Sequence, residues 1–198
     1  MTSIYFVRHA EPDHDWEDDR TRPLTREGLE DRMKVLEVLK DNKIDCYFSS
    51  PYKRSFDTIK ECAKFHGKEI TSDERFRERR RGLNSDVDGM LQKRWSDFDF
   101  HEEDGEPLGV IQKQNIEVLK EVLKKHSGQN IVIGTHGTAL STIINYFYPS
   151  YYCDDFLRII DYMPYIIRLD FDGTNCIGKE ELLIIKKEYK GKKRADKR

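Results

Sequence analysis

The sequence predicts an α/β protein: a three-layer α/β/α sandwich with a mostly parallel central sheet and an antiparallel hairpin at one edge. Three observations carry this. Short apolar runs recur at residues 4–7, 44–49 and 130–133, each with the length and composition of a buried strand. Each is followed further on by a stretch with apolar residues at helical spacing, the alternation that builds parallel sheets covered by helices. Two further apolar runs, 165–171 and 176–185, flank Asp172-Gly173 and read as the hairpin.

A chain of 198 residues can bury a full core in one domain, expected over residues 1–185. Charged residues make up 36% of it, yet 35 Lys and Arg nearly cancel 37 Asp and Glu. The net charge of −2 gives no reason to expect nucleic acid or a membrane surface as the main partner. Cys46, Cys62, Cys153 and Cys176 are widely spaced and form no C-x-x-C pair, which favours buried thiols over disulfides or a zinc site. No charged and then apolar leader opens the chain, and no run approaches the ~20 apolar residues of a membrane span. The expectation is a soluble, cytoplasmic protein, of oligomeric state that the sequence does not define.

In order, the first strand ends at Arg8-His9, and residues 11–22, rich in Asp, Pro and charge, read as a loop over the strand ends. Thr25 is placed to cap a helix over 26–41, with Leu29, Met33, Leu36 and Leu39 facing inward. The second strand, 44–49, leads into a helix opened by Pro51, whose apolar face is Tyr52, Phe56, Ile59 and Ala63. Arg54 then lies in that helix's first turn, where the positive end of the helix dipole and a guanidinium together suit an anion.

Residues 68–72 read as a short strand and 73–82 as a charged segment. Between there and Gly105 the chain is an excursion with one short helix near 92–97. A helix from Pro107 to about Gly128 follows, with Val110, Ile111, Val118, Leu119, Val122 and Leu123 as its apolar stripe. After the third strand, Gly134 permits a sharp turn and His136 stands at the strand end. A helix over 138–147 then turns Leu140, Ile143, Ile144 and Phe147 inward. Residues 186–198, basic and nearly without apolar side chains, are expected to be a solvated, flexible tail.

Ligands in open α/β sheets bind beyond the carboxyl ends of the strands, which is where Arg8-His9 and His136 fall. Together Arg8, His9, Arg54, Glu78 and His136, in this order and spacing, resemble the histidine phosphatase superfamily, the phosphoglycerate-mutase-like enzymes, from about Ser3 to about Leu183. Leu24-Thr25-Arg26-Glu27-Gly28 fits the family's Leu-Thr-x-x-Gly helix start. Ala10 stands where many members have glycine. No Asp follows the second histidine, as it does in the other branch, because that place is Gly137.

The resemblance implies a phosphoryl-transfer site. Arg8 and Arg54 can each grip phosphate oxygens with two donors, and His136 can donate another. His9 is left as the nucleophile, attacking phosphorus to give a phosphohistidine that water hydrolyses. Glu78 matches the family's acid position, with Glu74 and Glu11 as competing carboxylates. No metal or organic cofactor is expected. Family mutases continue the first motif with Trp-Asn and are longer, whereas this chain reads Glu11-Pro12-Asp13-His14-Asp15. The first reading is therefore a phosphomonoesterase acting on a small phosphorylated metabolite. The alternatives are a cofactor-dependent phosphoglycerate mutase and a catalytically silent relative that binds phosphorylated ligands.

Overall fold

The computed structural model describes residues 1–187. Six strands form one sheet: β1 (Thr2–Arg8), β2 (Cys46–Ser49), β3 (Ile70–Ser72), β4 (Asn130–Thr135), β5 (Tyr162–Asp172) and β6 (Asn175–Lys186). Their spatial order is β3-β2-β4-β1-β5-β6, and β3, β2, β4 and β1 run parallel. β5 pairs antiparallel with β1 and with β6, so the hairpin expected at the sheet edge is there, with Gly173 at positive φ in its turn.

Both faces of the sheet are covered, which is why β1 can be apolar at successive positions. Ile4 and Phe6, with Ile131 and Ile133 of β4, pack against α4 (Leu108–Lys125) and α5 (Gly137–Phe147). Tyr5, Val7 and Val132 pack on the other side against α1 (Arg26–Leu39) and α2 (Lys53–Phe65). The two short helices are α3 (Met90–Ser96) and α6 (Cys153–Ile159), which touch one another beyond the strand ends. Among the described residues no helix is long and apolar enough to cross a membrane.

Several details differ from the sequence reading. α1 turns Gly28, Asp31, Val35 and Leu39 inward, while Leu29 and Met33 are each 42% exposed. The cause is Gly28. A Cβ there would lie 2.3 Å from the Glu11 carbonyl oxygen, so the helix is rotated to bring its one bare backbone position against the first loop. Thr25 does cap this helix, its hydroxyl accepting from the Gly28 N–H at 2.9 Å. In α4 Val110 is exposed, and Asn115 and Ile116 are buried instead. β2 begins two residues later than expected, α2 starts at Lys53 rather than Pro51, and α6 was not foreseen.

The excursion after Glu78 is held by one buried carboxylate. Glu102 lies between Arg79, at 3.0 Å, and Arg94, and also accepts from the Ser85 hydroxyl at 2.7 Å. At the far end Lys187 pairs with Asp31 and Glu27 of α1. The basic tail expected from residue 186 does not begin there, since Lys186 ends β6 and Lys187 is paired, and from residue 188 onward it lies outside the described residues.

Gly28→Ala should lower stability by about 1–3 kcal/mol in denaturant unfolding, because the methyl meets backbone that cannot yield. Met33→Ala, on the outer face of the same helix, should stay within about 0.5 kcal/mol. Equal losses would place the inward face where the sequence pattern put it.

Candidate active site

Parallel β1, β4 and β2 lie side by side, so their carboxyl ends converge, and each hands the chain to the site. His9 follows β1, and its N–H donates to the Thr135 carbonyl at 3.2 Å. Ser50 follows β2, its N–H donating to the Gly134 carbonyl at 3.0 Å. His136 follows β4 and opens α5. The rings of His9 and His136 meet edge to face with centroids 5.4 Å apart. Arg54 sits in the first turn of α2, buried, as expected.

The His9 Nδ1 lies 2.8 Å from the Ala10 carbonyl oxygen. A carbonyl only accepts, so Nδ1 carries the proton and Nε2 keeps the lone pair. Burial, with Arg54 and Arg8 close by, holds the His9 pKa well below the usual value near 6.5. His136 is lowered in the same way, by burial first and then by Arg54, His9 and Arg8. Its Nε2 is 2.7 Å from the Ser50 hydroxyl.

Arg8 is buried beneath α5 and α6. Its Nη2 donates to the Ile160 carbonyl at 2.9 Å and its Nη1 to that of Ile159. Its guanidinium also lies flat on Gly137, where a Cβ would come within 3.2 Å of three of its atoms. Burial pushes its pKa down to about 10, which leaves it charged at neutral pH. Both terminal nitrogens thus have carbonyl partners, where the sequence reading had given them to a ligand. Arg8 Nε and His136 Nδ1 are buried without a hydrogen-bond partner, an uncommon state that an oxyanion would relieve.

Glu78 accepts from the N–H groups of Thr138 (2.9 Å), Ala139 (3.1 Å) and Arg79 (2.8 Å), so its carboxylate caps the amino end of α5. The arginines on either side turn away, Arg77 onto Glu106 and Arg79 onto Glu102. Of the competing carboxylates, Glu74 is exposed and pairs with Arg20. Glu11 accepts from the Thr25 hydroxyl at 2.8 Å and faces a separate cavity.

Arg8, His9, Arg54 and Glu78 line one cavity of about 390 Å³, together with Gly137 and Thr138. His136 lies fully buried against His9. The sequence reading missed Asp19, which reaches in from the first loop. Its Oδ1 is 2.8 Å from Arg22 Nη1 and 3.2 Å from Arg54 Nη1, and its carbonyl accepts from Arg54 as well. The only signal for it was the position of that loop over the strand ends. Among the described residues no group of three or more His, Cys, Asp or Glu is arranged to hold a metal ion.

The strand order and the two strand-end histidines define a phosphoglycerate-mutase-like α/β protein. Residues 4–175 match the histidine phosphatase superfamily (branch 1), and the chain belongs to that family. It is 28% identical over 152 residues to phosphoserine phosphatase 1 of Hydrogenobacter thermophilus, covering 69% of this chain and 71% of that protein. It is 29% identical over 169 residues to phosphoglycerate mutase-like protein 4 of Arabidopsis thaliana, covering 74% and 71%. Its fold resembles that of a phosphoserine phosphatase mutant from Entamoeba histolytica, solved with phosphoserine, at a TM-score of 0.74. That pair shares 21% identity over 92% of this chain and 97% of the other.

Two buried histidines with depressed pKa values make stability depend on pH. In the unfolded chain each binds a proton near pH 6.5, while in the folded chain each stays neutral to lower pH. Stability is therefore lost as pH falls below about 6.5, with a limiting slope of ~1.4 kcal/mol per pH unit for each histidine. Urea unfolding between pH 7 and 5 should show this loss, and His9→Asn and His136→Asn should each reduce it. A curve that the substitutions leave unchanged would assign the dependence to other groups.

Proposed function

We propose that the protein is a phosphomonoesterase that acts through a phosphohistidine on a small phosphorylated metabolite, in the cytoplasm, where its four free thiols are suited to a reducing setting. The observation that carries this reading is the state of His9: neutral, with Nδ1–H fixed on a carbonyl and Nε2 left with its lone pair, beside two buried arginines. The family, and the phosphatase names among its relatives, support it.

His9 Nε2 attacks phosphorus as the ester oxygen leaves. Arg54, Arg8 through its Nε, and His136 stabilise charge on the equatorial oxygens, where fixed dipoles act most strongly. Glu78 protonates the leaving oxygen. Water then displaces His9 from phosphorus and gives a proton to the Glu78 carboxylate, so that inorganic phosphate leaves and both the imidazole and the Glu78 carboxyl are restored. The mutase reading draws on the Arabidopsis relative's name, and against it stands the missing Trp-Asn continuation after Glu11. Incubation with 3-phosphoglycerate, with and without 2,3-bisphosphoglycerate, separates the two. Phosphate release supports the proposal, and cofactor-stimulated 2-phosphoglycerate formation without release would replace it.

His9→Ala should abolish turnover, together with an acid-labile, base-stable radiolabel that the unsubstituted protein acquires from labelled substrate. Turnover surviving at a tenth of the original rate would remove His9 as nucleophile.

Glu78→Gln separates acid from anchor. A general acid contributes ~10²–10⁴ in rate, most for a basic leaving group. If Glu78 is the acid, kcat/KM should fall far more for alkyl phosphates than for p-nitrophenyl phosphate. The amide also puts an NH₂ against an N–H donor of α5, which affects both esters alike. Equal losses would leave Glu78 as only the cap of that helix.

A further inference from the structure

The cavity extends well beyond Arg8 and His9, and its lining is of two kinds. Part of it is apolar: Leu91 from α3, Phe156 and Leu157 from α6, then Ile160 and Met163. Phe156 and Met163 are themselves buried, with Phe156 stacked near Trp95 at a centroid separation of 5.9 Å. This wall is continuous with the phosphate end, since the Ile160 carbonyl holds Arg8 Nη2 at 2.9 Å.

The lining is also rich in arginine, but that charge is already matched. Among the described residues every arginine lining the cavity beyond Arg8 and Arg54 has a carboxylate partner. Arg22 pairs with Asp19 at 2.8 Å, Arg81 pairs with Asp86, and Arg79 and Arg94 share Glu102. Asp86 and Asp88 both line the cavity and would face any second anionic group. A second carboxylate or phosphate on the ligand would compete with these carboxylates for the arginines, whereas an apolar body needs only the wall.

We propose that the alcohol part of the substrate is an uncharged, largely apolar carbon body seated on α3 and α6, and that the site takes one anionic group, the ester phosphate. This rests on the phosphomonoesterase reading and narrows it. The relatives' substrate names point to small charged bodies, so the two expectations diverge in a measurable way.

The test is the n-alkyl phosphate series from ethyl to hexyl, whose leaving groups are of nearly equal basicity, so that differences report contact rather than chemistry. Each methylene fully removed from water is worth about fourfold. kcat/KM should rise at least tenfold from ethyl to hexyl phosphate, and hexyl phosphate should exceed both phosphoserine and 3-phosphoglycerate. Leu157→Asn and Leu91→Ala should each shrink the hexyl-to-ethyl ratio. Calorimetric titration with ethyl- and hexylphosphonate gives the same comparison without turnover. A flat series, or a preference of tenfold or more for phosphoserine or 3-phosphoglycerate over hexyl phosphate, would overturn the proposal. Phosphonate affinity that rises with chain length, with no ester hydrolysed, would instead uphold the apolar subsite and remove the phosphatase reading.

Discussion

The constraint on which the rest of the site depends is the burial of the Arg8 charge. A guanidinium at the end of a central parallel strand, 6% exposed, is costly unless polar groups replace its water. The nearby carboxylates of Glu78 and Asp161 favour its charge. Its partners are the carbonyls of Ile159 and Ile160, at the carboxyl end of α6, where backbone dipoles carry negative partial charge. The requirement propagates outward. α6 ends over the strand, α5 begins with a glycine at which a Cβ would press within 3.2 Å of the guanidinium, and β1 stays in register with β4.

The same logic orders the neighbouring elements. The amino end of α5 leaves N–H groups without helical partners, and Glu78 supplies the acceptors from a segment far away in sequence. That contact fixes where the excursion begins. Glu102, clamped by Arg79 and Arg94, fixes its shape further along. A buried pair of this kind adds little net stability over apolar packing, yet removing one partner is expensive because the other charge is left stranded. The network therefore works chiefly as a geometric constraint on the cavity wall. The guanidinium groups of Arg8 and Arg54 are likewise held in place, by backbone carbonyls.

These facts explain what could be read from the sequence. Arg8, His9 and His136 were legible because buried strands announce themselves as apolar runs, and the residue after a parallel strand has one place to go. The place of Arg54 in the first turn of a helix was legible behind Pro51, while its link to a phosphate came from the family resemblance. The inward face of α1 was not, since Leu29 and Met33 keep a helical period while the rotation is set by Gly28 against Glu11, a contact 17 residues away in sequence. α6 escaped notice because seven residues make too short a window for periodicity, and three of them, Asp154, Asp155 and Arg158, are charged. Asp19 lay in a stretch without period, and its role depends on where a loop folds back in space.

The division between legible and illegible parts follows the division of labour in the cavity. The end that holds Arg8, His9 and His136 is built at strand termini, where a residue cannot shift by one position without turning the alternating side chains of the strand to the wrong face. The other end is built from α3, α6 and the loop before α1, which are joined to the sheet by side-chain contacts and can change without altering strand register. Hydrophobic patterning thus determines where Arg8, His9 and His136 stand, whereas Glu78 and the lining beyond it are placed by a helix cap and by ion pairs such as Arg79–Glu102. Arg8 is where the two meet. Its guanidinium stands beside His9 at the strand ends, and the carbonyls that make its burial tolerable belong to the segment that brings Phe156, Leu157 and Ile160 into the cavity lining.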